Sequence, residues 1–404
     1  MATYNISLAD LRQDIAGIIP ADLVLNWNGK DKTAARHDQL LAPFRARGTI
    51  VSTDSAGLSR LTQRYTLAQV MKLVSEPKEV IHSYGTAIGG EAVGIWAADN
   101  SQMFFDEKIA PSQVLAQMLG VQRKVKDLQV QIGIGIHSGE CYKVGGGLFG
   151  EDADFIEGIA EDATSAGEIV FSQPIFELLA GSVRQAARLR EDLQKAGALW
   201  ALSHFSGTVE AVEGNPDYPT PFDAAFFRRL RSASLAELAQ EEFPEYRKTQ
   251  TVAFVKVTHS PHKFLLDSFT DMSLINVAVR RIAASHGADV VKSNGTLAIV
   301  LFPEGRQAVA FARDIIEENR ALGFNAHVGL THGEVYLFPL ASGEREIAGN
   351  PVNIASKLAE DSGLEGVLVE DSVTLGELAQ KGEPFRLTLS KVELTGRRFP
   401  VPPT

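Results

Sequence analysis

The segment QIGIGIHSGECY, residues 131–142, returns later in the chain as AHVGLTHGEVY, residues 326–336. Each copy has an apolar run, then a histidine near Ser or Thr, then Gly-Glu and a second apolar run. We predict a β-hairpin in each copy, in which Gly139 and Gly333 supply a positive φ at the turn. Such a repeat is important because it determines how the whole fold is assigned.

The segments that flank each copy also repeat in the same order. Upstream lie a buried strand leading into a helix, and two strands around a Gly-containing turn: residues 48–62 and 83–96, then 251–264 and 287–302. Downstream lie a helix that follows Gly, and a strand that leads into a helix: residues 150–163 and 168–179, then 349–362 and 366–378. One unit of roughly 155 residues therefore occurs twice. His137 and His332 are expected to occupy equivalent turns and to make structural hydrogen bonds.

The order of elements predicts an α+β fold in each unit, β-α-α-β-β-α-β-β-α-β-α. Helices pack on one mostly antiparallel sheet, related to the ferredoxin-like split βαβ. We predict an N-terminal extension at residues 1–44, a first domain at 45–205, a linker with a docking helix at 206–248 and a second domain at 249–404. Several prolines and a charged helical run in residues 214–248 indicate the linker.

Length, charge and cysteine content exclude several classes of protein. The 404 residues exceed one typical core, so about two domains are expected. The net charge of -11 argues against a nucleic-acid or anionic-membrane binder. A single cysteine, Cys141, excludes an internal disulfide and a thiolate zinc cluster, and it is expected in the core. No signal peptide or membrane span is recognisable, so we predict a cytoplasmic protein.

The segment GNPVNIASKLAE, residues 349–360, predicts an amphipathic helix with Pro351 near its start. Its apolar stripe consists of Val352, Ile354, Ala355 and Leu358. Asn353 and Lys357 share another face, because residues four apart are neighbours on a helix. The amide and the cation could therefore act on one ligand, or both could face solvent.

These segments in this order resemble the class III adenylate/guanylate (nucleotidyl) cyclase catalytic domain, present as tandem catalytic domains in one chain. The resemblance rests on TDSAGLSRLT, IGGEAVGIW, GIGIHSGE, VGLTHGE and GNPVNIASKLAE. It implies two ferredoxin-like domains packed as an intramolecular pseudo-heterodimer. It also implies attack of the 3′-hydroxyl of a nucleoside triphosphate on its own α-phosphate, with release of pyrophosphate. Two divalent cations, Mg²⁺ or Mn²⁺, suit this chemistry because they neutralise the triphosphate.

The resemblance places the metal ligands in the first unit. Asp54 lies at the family's first acidic position and Glu91 at the second, where the family usually has Asp. Ser55 and Gly57 follow Asp54, and backbone N–H groups there are expected to hold phosphate oxygens at a helix start. The corresponding positions of the second unit carry Lys256, or a neighbour, and Thr296. No metal is therefore expected in the second unit.

The transition-state helix shows the opposite distribution. Asn353 and Lys357 of the second unit lie at the family's Asn and Arg positions, so the resemblance implies a catalytic role. The first unit has Asp154 and Gly158 there. One composite site therefore remains of two, with acids from the first unit and the amide and ammonium from the second. We predict a functional monomer, because both halves belong to one chain.

Base-contacting residues are also implied for the second unit. Lys292 lies at the family's purine-contacting Lys position, and Glu346 lies where adenine-selective members have Asp. A Lys donating to N1 and a carboxylate accepting from the exocyclic amine favour adenine, so ATP is predicted over GTP. The first unit has Ala87 and Gly147 at the equivalent places, which would leave a vacant second pocket for an effector.

Other interpretations of these residues stay open. Asp54 could be a helix N-cap, Glu91 a solvated hairpin residue and Lys357 a surface lysine. Lys292 and Glu346 could form an ordinary surface ion pair. Glu for Asp displaces a metal ligand, and Lys for Arg loses the planar fork that binds phosphate. The chain is therefore expected to be either an adenylate cyclase or a catalytically inactive pseudocyclase that binds a nucleotide or small anion and regulates a partner.

Overall fold

A computed structural model describes most of the chain in detail, namely residues 11, 18–57, 61, 64–94, 96, 100–192, 197–203, 205, 210–240, 243–258, 262–389 and 392–401. The chain divides into two compact units. The described residues of Asp38–Glu242 belong to the first unit, and those of Ile18–His37 and Phe243–Thr404 belong to the second. The N-terminal segment therefore belongs to the same unit as the C-terminal half of the chain.

The first unit is built on one sheet. Its strands are β1 (Arg45–Ala56), β2 (Glu91–Ala92), β3 (Ser101–Asp106), β4 (Gln131–Val144), β5 (Gly147–Phe149), β6 (Ile169–Ser172), β7 (Arg188–Leu189) and β8 (Leu199–Leu202). Their order is β2-β3-β1-β4-β6-β8-β7, and β5 pairs with β4. β4 and β6 are parallel, and the other pairs are antiparallel.

Two short helices precede this sheet, α1 (Ala21–Asn28) and α2 (Ala34–Leu41). The first unit then contains α3 (Leu67–Thr86), α4 (Pro111–Val125), α5 (Glu151–Gly158), α6 (Gln173–Leu178), α7 (Gly181–Ala186), α8 (Ala224–Ser232) and α9 (Leu235–Gln240). A capping box starts α3, because the Thr66 hydroxyl accepts from the Gln69 N–H while the Gln69 side chain accepts from the Thr66 N–H. α5 continues into a π-turn at Ile159–Ala163.

The second unit repeats the arrangement. Its strands are β9 (Arg247–Thr258), β10 (Asp289–Ser293), β11 (Leu297–Phe302), β12 (Asn325–Pro339), β13 (Arg345–Ala348), β14 (Val367–Glu370), β15 (Glu383–Leu389) and β16 (Val392–Phe399). The order is β10-β11-β9-β12-β14-β16-β15, and β13 pairs with β12. Its longer helices are α10 (Leu265–Ser285), α11 (Gly305–Ala321) and α12 (Asn350–Glu360).

The identical strand order confirms the predicted repeat and the α+β class. The first four strands of each sheet have the ferredoxin-like split βαβ order, β2-β3-β1-β4 and β10-β11-β9-β12. Each sheet is covered on both faces, because successive residues of a strand point to opposite sides. On β1, Val51 packs with residues of α3 and α4, whereas Ile50 packs with residues of α5.

The hairpin predicted in the middle of each repeat is wrong. β4 and β12 run without interruption through Gly139 and Gly333, and neither glycine has a positive φ. The first turn comes later, at Gly145 and Gly146, with φ of 60° and 88°. The repeated glycines serve close packing instead. A Cβ at Gly139 would lie 2.0 Å from the Asp152 Oδ2 on α5.

The predicted linker, residues 206–248, lies within the first unit up to residue 242. Part of it packs along α3. The Gly214 N–H donates to the Ser83 carbonyl at 2.9 Å, and a ring nitrogen of His82 bonds the Asn215 carbonyl at 2.8 Å. The domain boundaries that the sequence suggests remain predictions.

The N-terminal helix α1 packs on α10 of the second unit. Trp27 is fully buried, and its Nε1–H donates to the Asp267 carboxylate at 2.9 Å. Lys32 bonds the same carboxylate at 2.6 Å. Burial by itself would raise the Asp267 pKa, but the bonds from Lys32 and Trp27, together with the Lys32 charge, outweigh burial and lower it. The predicted N-terminal extension is therefore part of the packed structure where it is described.

Candidate functional site

Asp54 lies near the end of β1, opposite Gly133 of β4, and its side chain is half-buried. It has the same strand parity as Ile50, so it faces the side of the sheet that carries α5. Ser55 is a buried strand residue on the other face. Gly57 has a φ of 85°, and its carbonyl accepts the Leu61 N–H at 3.3 Å. Of the two proposed phosphate-contacting residues, Gly57 is therefore the one whose backbone bonds a residue beyond the strand.

The structure does not bring Glu91 to Asp54. Glu91 pairs with Phe104 on β3, and Phe104 pairs with Ile50 on β1. Asp54 lies four residues further along β1, which is about 13 Å at the usual rise per residue. Two strand spacings add about 10 Å across the sheet, so the Cα atoms are roughly 16 Å apart. The metal ions of a two-ion site lie about 4 Å apart, so two carboxylates at this separation cannot both reach them.

An ion pair engages Glu91 instead. Its carboxylate bonds the Lys143 Nζ at 2.5 Å, and that ammonium also lies 4.9 Å from the Phe104 ring centre. The second unit has a counterpart, because Asp289 opens β10 as Glu91 opens β2. Arg345 bonds both carboxylate oxygens of Asp289, at 2.6 and 2.7 Å. The basic partners differ, because Lys143 lies on β4 and Arg345 on β13, but the acid at this position is ion-paired in both units, which indicates a structural role for Glu91.

The strand register identifies another candidate for the second acidic position. Leu297 of β11 pairs with Lys256, whereas Ser101 of β3 pairs with Thr53, one residue before Asp54. The residue of the first unit equivalent to Thr296 is therefore residue 99. The sequence has aspartate there, and Asp99 lies outside the described residues. Counting residues back from β3 would have identified Asp99 from the sequence. Matching the Gly-containing turns of the two units pointed to Glu91 instead.

The described residues do not complete the predicted metal set. Among them, no group of three or more His, Cys, Asp or Glu side chains is arranged to hold a metal ion. Asp54 fits as one carboxylate ligand. Glu91 does not fit as the second, because it is distant and bonded to Lys143.

The second unit brings Lys292 and Glu346 together, as the resemblance implies. The Lys292 Nζ lies 3.3 Å from Glu346 Oε2, and both side chains are largely buried, with exposed fractions of 20% and 17%. The other carboxylate oxygen of Glu346 accepts the Ile347 N–H at 2.9 Å. The carboxylate orientation is therefore held by two bonds before any ligand arrives.

The first unit lacks this pair. Lys292 pairs with Ile299 on the neighbouring strand β11. In the first unit, Gln102 stands at the position of Ile299, and its backbone carbonyl accepts the N–H of Val93. Val93 therefore takes the place of Lys292, and the prediction of Ala87 was wrong, because Ala87 is the C-cap of α3. Gly147 corresponds to Glu346, as predicted. Gly147 pairs with Val144 of β4, and Glu346 pairs with Phe338, which is the matching position of β12.

Asn353 and Lys357 lie on α12. Asn353 is exposed and Lys357 is half-buried, while Ala355 and Leu358 on the inner side are buried. In α5 of the first unit, Asp154 stands at the position of Asn353. Partial burial and then the neighbouring Glu151 raise the Asp154 pKa. The two helices therefore offer ligands of opposite charge.

The two histidines of the repeated segment have structural partners. Nδ1 of His137 lies 2.8 Å from the Ser172 hydroxyl, and its Nε2 lies 3.0 Å from the Asp152 carboxylate. Nδ1 of His332 lies 3.0 Å from the Thr251 hydroxyl. The two are not equivalent, contrary to the prediction, because the register aligns His137 with Thr331.

Comparisons with solved structures show similarity over much of the chain. A class III adenylyl cyclase-like ATP-binding protein from Pseudomonas aeruginosa is 12% identical over 81% of this chain and 84% of its own, with a TM-score of 0.47. A double mutant of the guanylyl cyclase domain of the RhoGC fusion protein from the aquatic fungus Blastocladiella emersonii is 22% identical, over 38% of this chain and 99% of its own, with a TM-score of 0.33. The adenylyl cyclase CyaB from P. aeruginosa is 16% identical over 42% and 94%, with a TM-score of 0.32.

No family model and no curated protein matches the chain. At these identities and TM-scores, any functional assignment depends on the chain's own residues. Within the described residues, no helix is both long enough and apolar enough to cross a membrane.

Proposed function

We propose that this chain is a class III nucleotidyl cyclase that converts ATP to 3′,5′-cyclic AMP and pyrophosphate. The observation that carries the proposal is the division of polar residues between two units of one fold. The first unit has Asp54 but lacks the base-contacting pair and the Asn/Lys helix. The second unit has those features, whereas Lys256 replaces the acid. Each unit therefore supplies what the other lacks.

The Lys292–Glu346 pair would select the base. Adenine presents an acceptor at N1 and a donor amine at C6, so the ammonium and the carboxylate match it. Lys292 has three donors, and each Glu346 oxygen can accept more than one hydrogen bond, so both can contact a base while staying paired. Their low exposure strengthens these bonds relative to water.

Asn353 and Lys357 would act on the phosphates and ribose. The amide group of Asn353 can donate to an oxygen near the reacting phosphorus. The ammonium of Lys357 can neutralise charge that develops on the α-phosphate during attack by the 3′-hydroxyl. A lysine contacts phosphate as a point charge and lacks the bidentate geometry of arginine, so turnover is expected to be slow.

Mg²⁺ or Mn²⁺, as two ions, stays part of the proposal. Asp54 would hold one of them. The described residues do not supply the second carboxylate, so no step of the reaction is assigned to the ions. The preference for ATP over GTP, a monomeric state, a cytoplasmic location and an unknown regulatory partner likewise remain predictions.

A second candidate function is a pseudocyclase that binds a nucleotide without turnover and regulates a partner. Lysine at position 357 favours it, because lysine lacks the planar fork with which arginine holds phosphate oxygens bidentately.

A cyclase assay separates the two functions. The purified chain is incubated with Mn²⁺ and ATP or GTP, and cyclic nucleotide, pyrophosphate and binding of a fluorescent ATP analogue are measured. Asp54→Asn should abolish the product, and Asp106→Asn, an exposed aspartate on the same sheet, should not. Binding without product in the wild type would establish the pseudocyclase. Full activity of Asp54→Asn would refute the proposed site.

A further inference from the structure

The repeated segment that defines the two units has no role in the reaction proposed above. In the second unit it reads Gly329-Leu330-Thr331-His332-Gly333 within β12. Every second residue faces the side of the sheet that carries α12, since Val335 and Leu337 on that side pack in one cluster with Ala355. Gly329, Thr331 and Gly333 therefore lie beneath this helix.

The two glycines allow α12 to rest directly on the strand. A Cβ at Gly329 would lie 2.1 Å from the Ala355 carbonyl oxygen, and one at Gly333 would lie 2.9 Å from Pro351 Cγ. Real Cβ contacts of 2.1 Å do not occur, so a side chain at position 329 would push the helix away. The height of α12 above the sheet is thus set by backbone contact.

Thr331 fastens the first turn of α12. Its side chain is 1% exposed, and its hydroxyl donates to the Pro351 carbonyl at 2.7 Å. Pro351 lies two residues before Asn353. The bond therefore fixes the end of the helix from which the Asn353 amide projects.

Lys256 fastens the other end. Its Nζ lies 3.2 Å from the Glu360 carboxylate, and Glu360 lies three residues after Lys357, less than one turn away. Lys256 has the same strand parity as Phe254, which packs in the cluster with Ala355. The position that carries the acid Asp54 in the first unit thus carries a helix anchor in the second.

The first unit shows which anchor is general. His137, the equivalent of Thr331, bonds Asp152 in the first turn of α5 at 3.0 Å. Asp54, in place of Lys256, has no positive charge to offer α5. The first anchor therefore belongs to the fold, whereas the second distinguishes the unit that carries Asn353 and Lys357.

We propose that Thr331 and Lys256 are positioning residues that clamp the two ends of α12 and thereby set where Asn353 and Lys357 lie. The activity part of this proposal rests on the cyclase function proposed above. A shift of about 1 Å in a reacting group can cost a hundredfold in rate, so release of either end should reduce turnover.

The buried anchor is tested by Thr331→Val, which keeps the side-chain shape and removes the hydroxyl. We expect kcat to fall by roughly ten- to a hundredfold with little change in KM. Thr331→Ser should restore most of kcat, because it keeps the donor. The matched control is Thr251→Val on β9, which removes an equally buried hydroxyl that bonds His332 and not α12. An equal loss of kcat in the control would refute a specific role for Thr331.

The exposed anchor is tested by charge exchange. Lys256→Glu and Glu360→Lys should each lower kcat by several-fold, and the double variant should recover it. Both side chains are about one third exposed, at 35% and 34%, so the loss should shrink as salt is raised. Two single variants with wild-type kcat at low salt would remove Lys256 from the proposal.

Hydrogen exchange of the ligand-free chain tests the clamp independently of turnover. Exchange of the α12 amides should accelerate by roughly tenfold in Thr331→Val, the effect expected for loss of one hydrogen bond from a buried group. Exchange in α10 should stay unchanged, and Thr251→Val should leave α12 protected. If the wild type makes no cyclic product, the cyclase proposal fails and exchange alone decides the clamp. Unchanged exchange of α12 in Thr331→Val would refute the clamp even in an active enzyme.

Discussion

Replacement of Glu91 by glutamine should leave cyclisation almost unchanged, although the sequence places this residue at a metal position. The change removes one charge from an ion pair whose side chains are 62% and 37% exposed. Exposed pairs of this kind contribute about 0.2–1 kcal/mol to stability. We therefore expect a small drop in the unfolding midpoint and a rate within about twofold of wild type, which is about 0.4 kcal/mol in barrier height.

The contrast with Asp54 follows from the register. The Cα atoms of Asp54 and Glu91 are roughly 16 Å apart, whereas the two metal ions of such a site lie about 4 Å apart. The two carboxylates therefore cannot bind the same pair of metal ions. Asp54→Asn should lower the rate at least a hundredfold, which is about 2.7 kcal/mol. Asp99→Asn, at the position equivalent to Thr296, should have an effect like that of Asp54→Asn.

The assay is the initial rate of pyrophosphate release as a function of Mn²⁺ concentration, together with thermal unfolding of each variant. Asp289→Asn is the matched control, because it breaks the equivalent ion pair of the second unit with Arg345. Glu91→Gln and Asp289→Asn should behave alike. A hundredfold lower rate, or a shifted Mn²⁺ dependence, in Glu91→Gln alone would show that the register argument fails.

Three further outcomes test packing and burial. Gly329→Ala should destabilise the chain by about 1–3 kcal/mol through overpacking, whereas Gly158→Ala, where a Cβ meets nothing within 4 Å, should not; equal unfolding midpoints would contradict this. Burial raises the Cys141 pKa to about 11, so the native thiol should resist alkylation at pH 8. The stability that the protonated, buried thiol contributes should be complete below pH 9 and should disappear toward pH 11. Trp27→Ala should cost about 3–5 kcal/mol and speed amide exchange in α10 but not in α3; equal acceleration in both helices would disprove the assignment of this segment to the second unit.

Some side chains were correctly placed next to one another from the sequence because their signal is local. Asn353 and Lys357 are four residues apart on one helix, and periodicity alone places them together. Lys292 and Glu346 are 54 residues apart, yet the resemblance paired them correctly. Each sits at a fixed distance from a recognisable turn, so small errors in alignment did not separate them.

Other assignments failed because the decisive contact is not local. A glycine inside an apolar segment looks like a turn, and only the position of Asp152 shows why Gly139 must lack a side chain. Glu91 lies in a strand of two residues, and the stretch of residues 93–100 separates that strand from β3. The length of that stretch hides the alignment, which becomes visible only through the pairing of β3 with β1.

The sequence by itself determined the duplication, the α+β class, and the different residues that the two copies carry at matching positions, because residue order and periodicity carry this information. Tertiary structure decided which of these residues lie close together. Strand register placed Glu91 away from Asp54. The segment predicted as a hairpin in the second unit is a continuous strand on which α12 packs. The N-terminal helix belongs to the same unit as the C-terminal half of the chain. These outcomes depend on contacts between residues that are far apart in sequence and close in space, and local sequence patterns do not record such contacts.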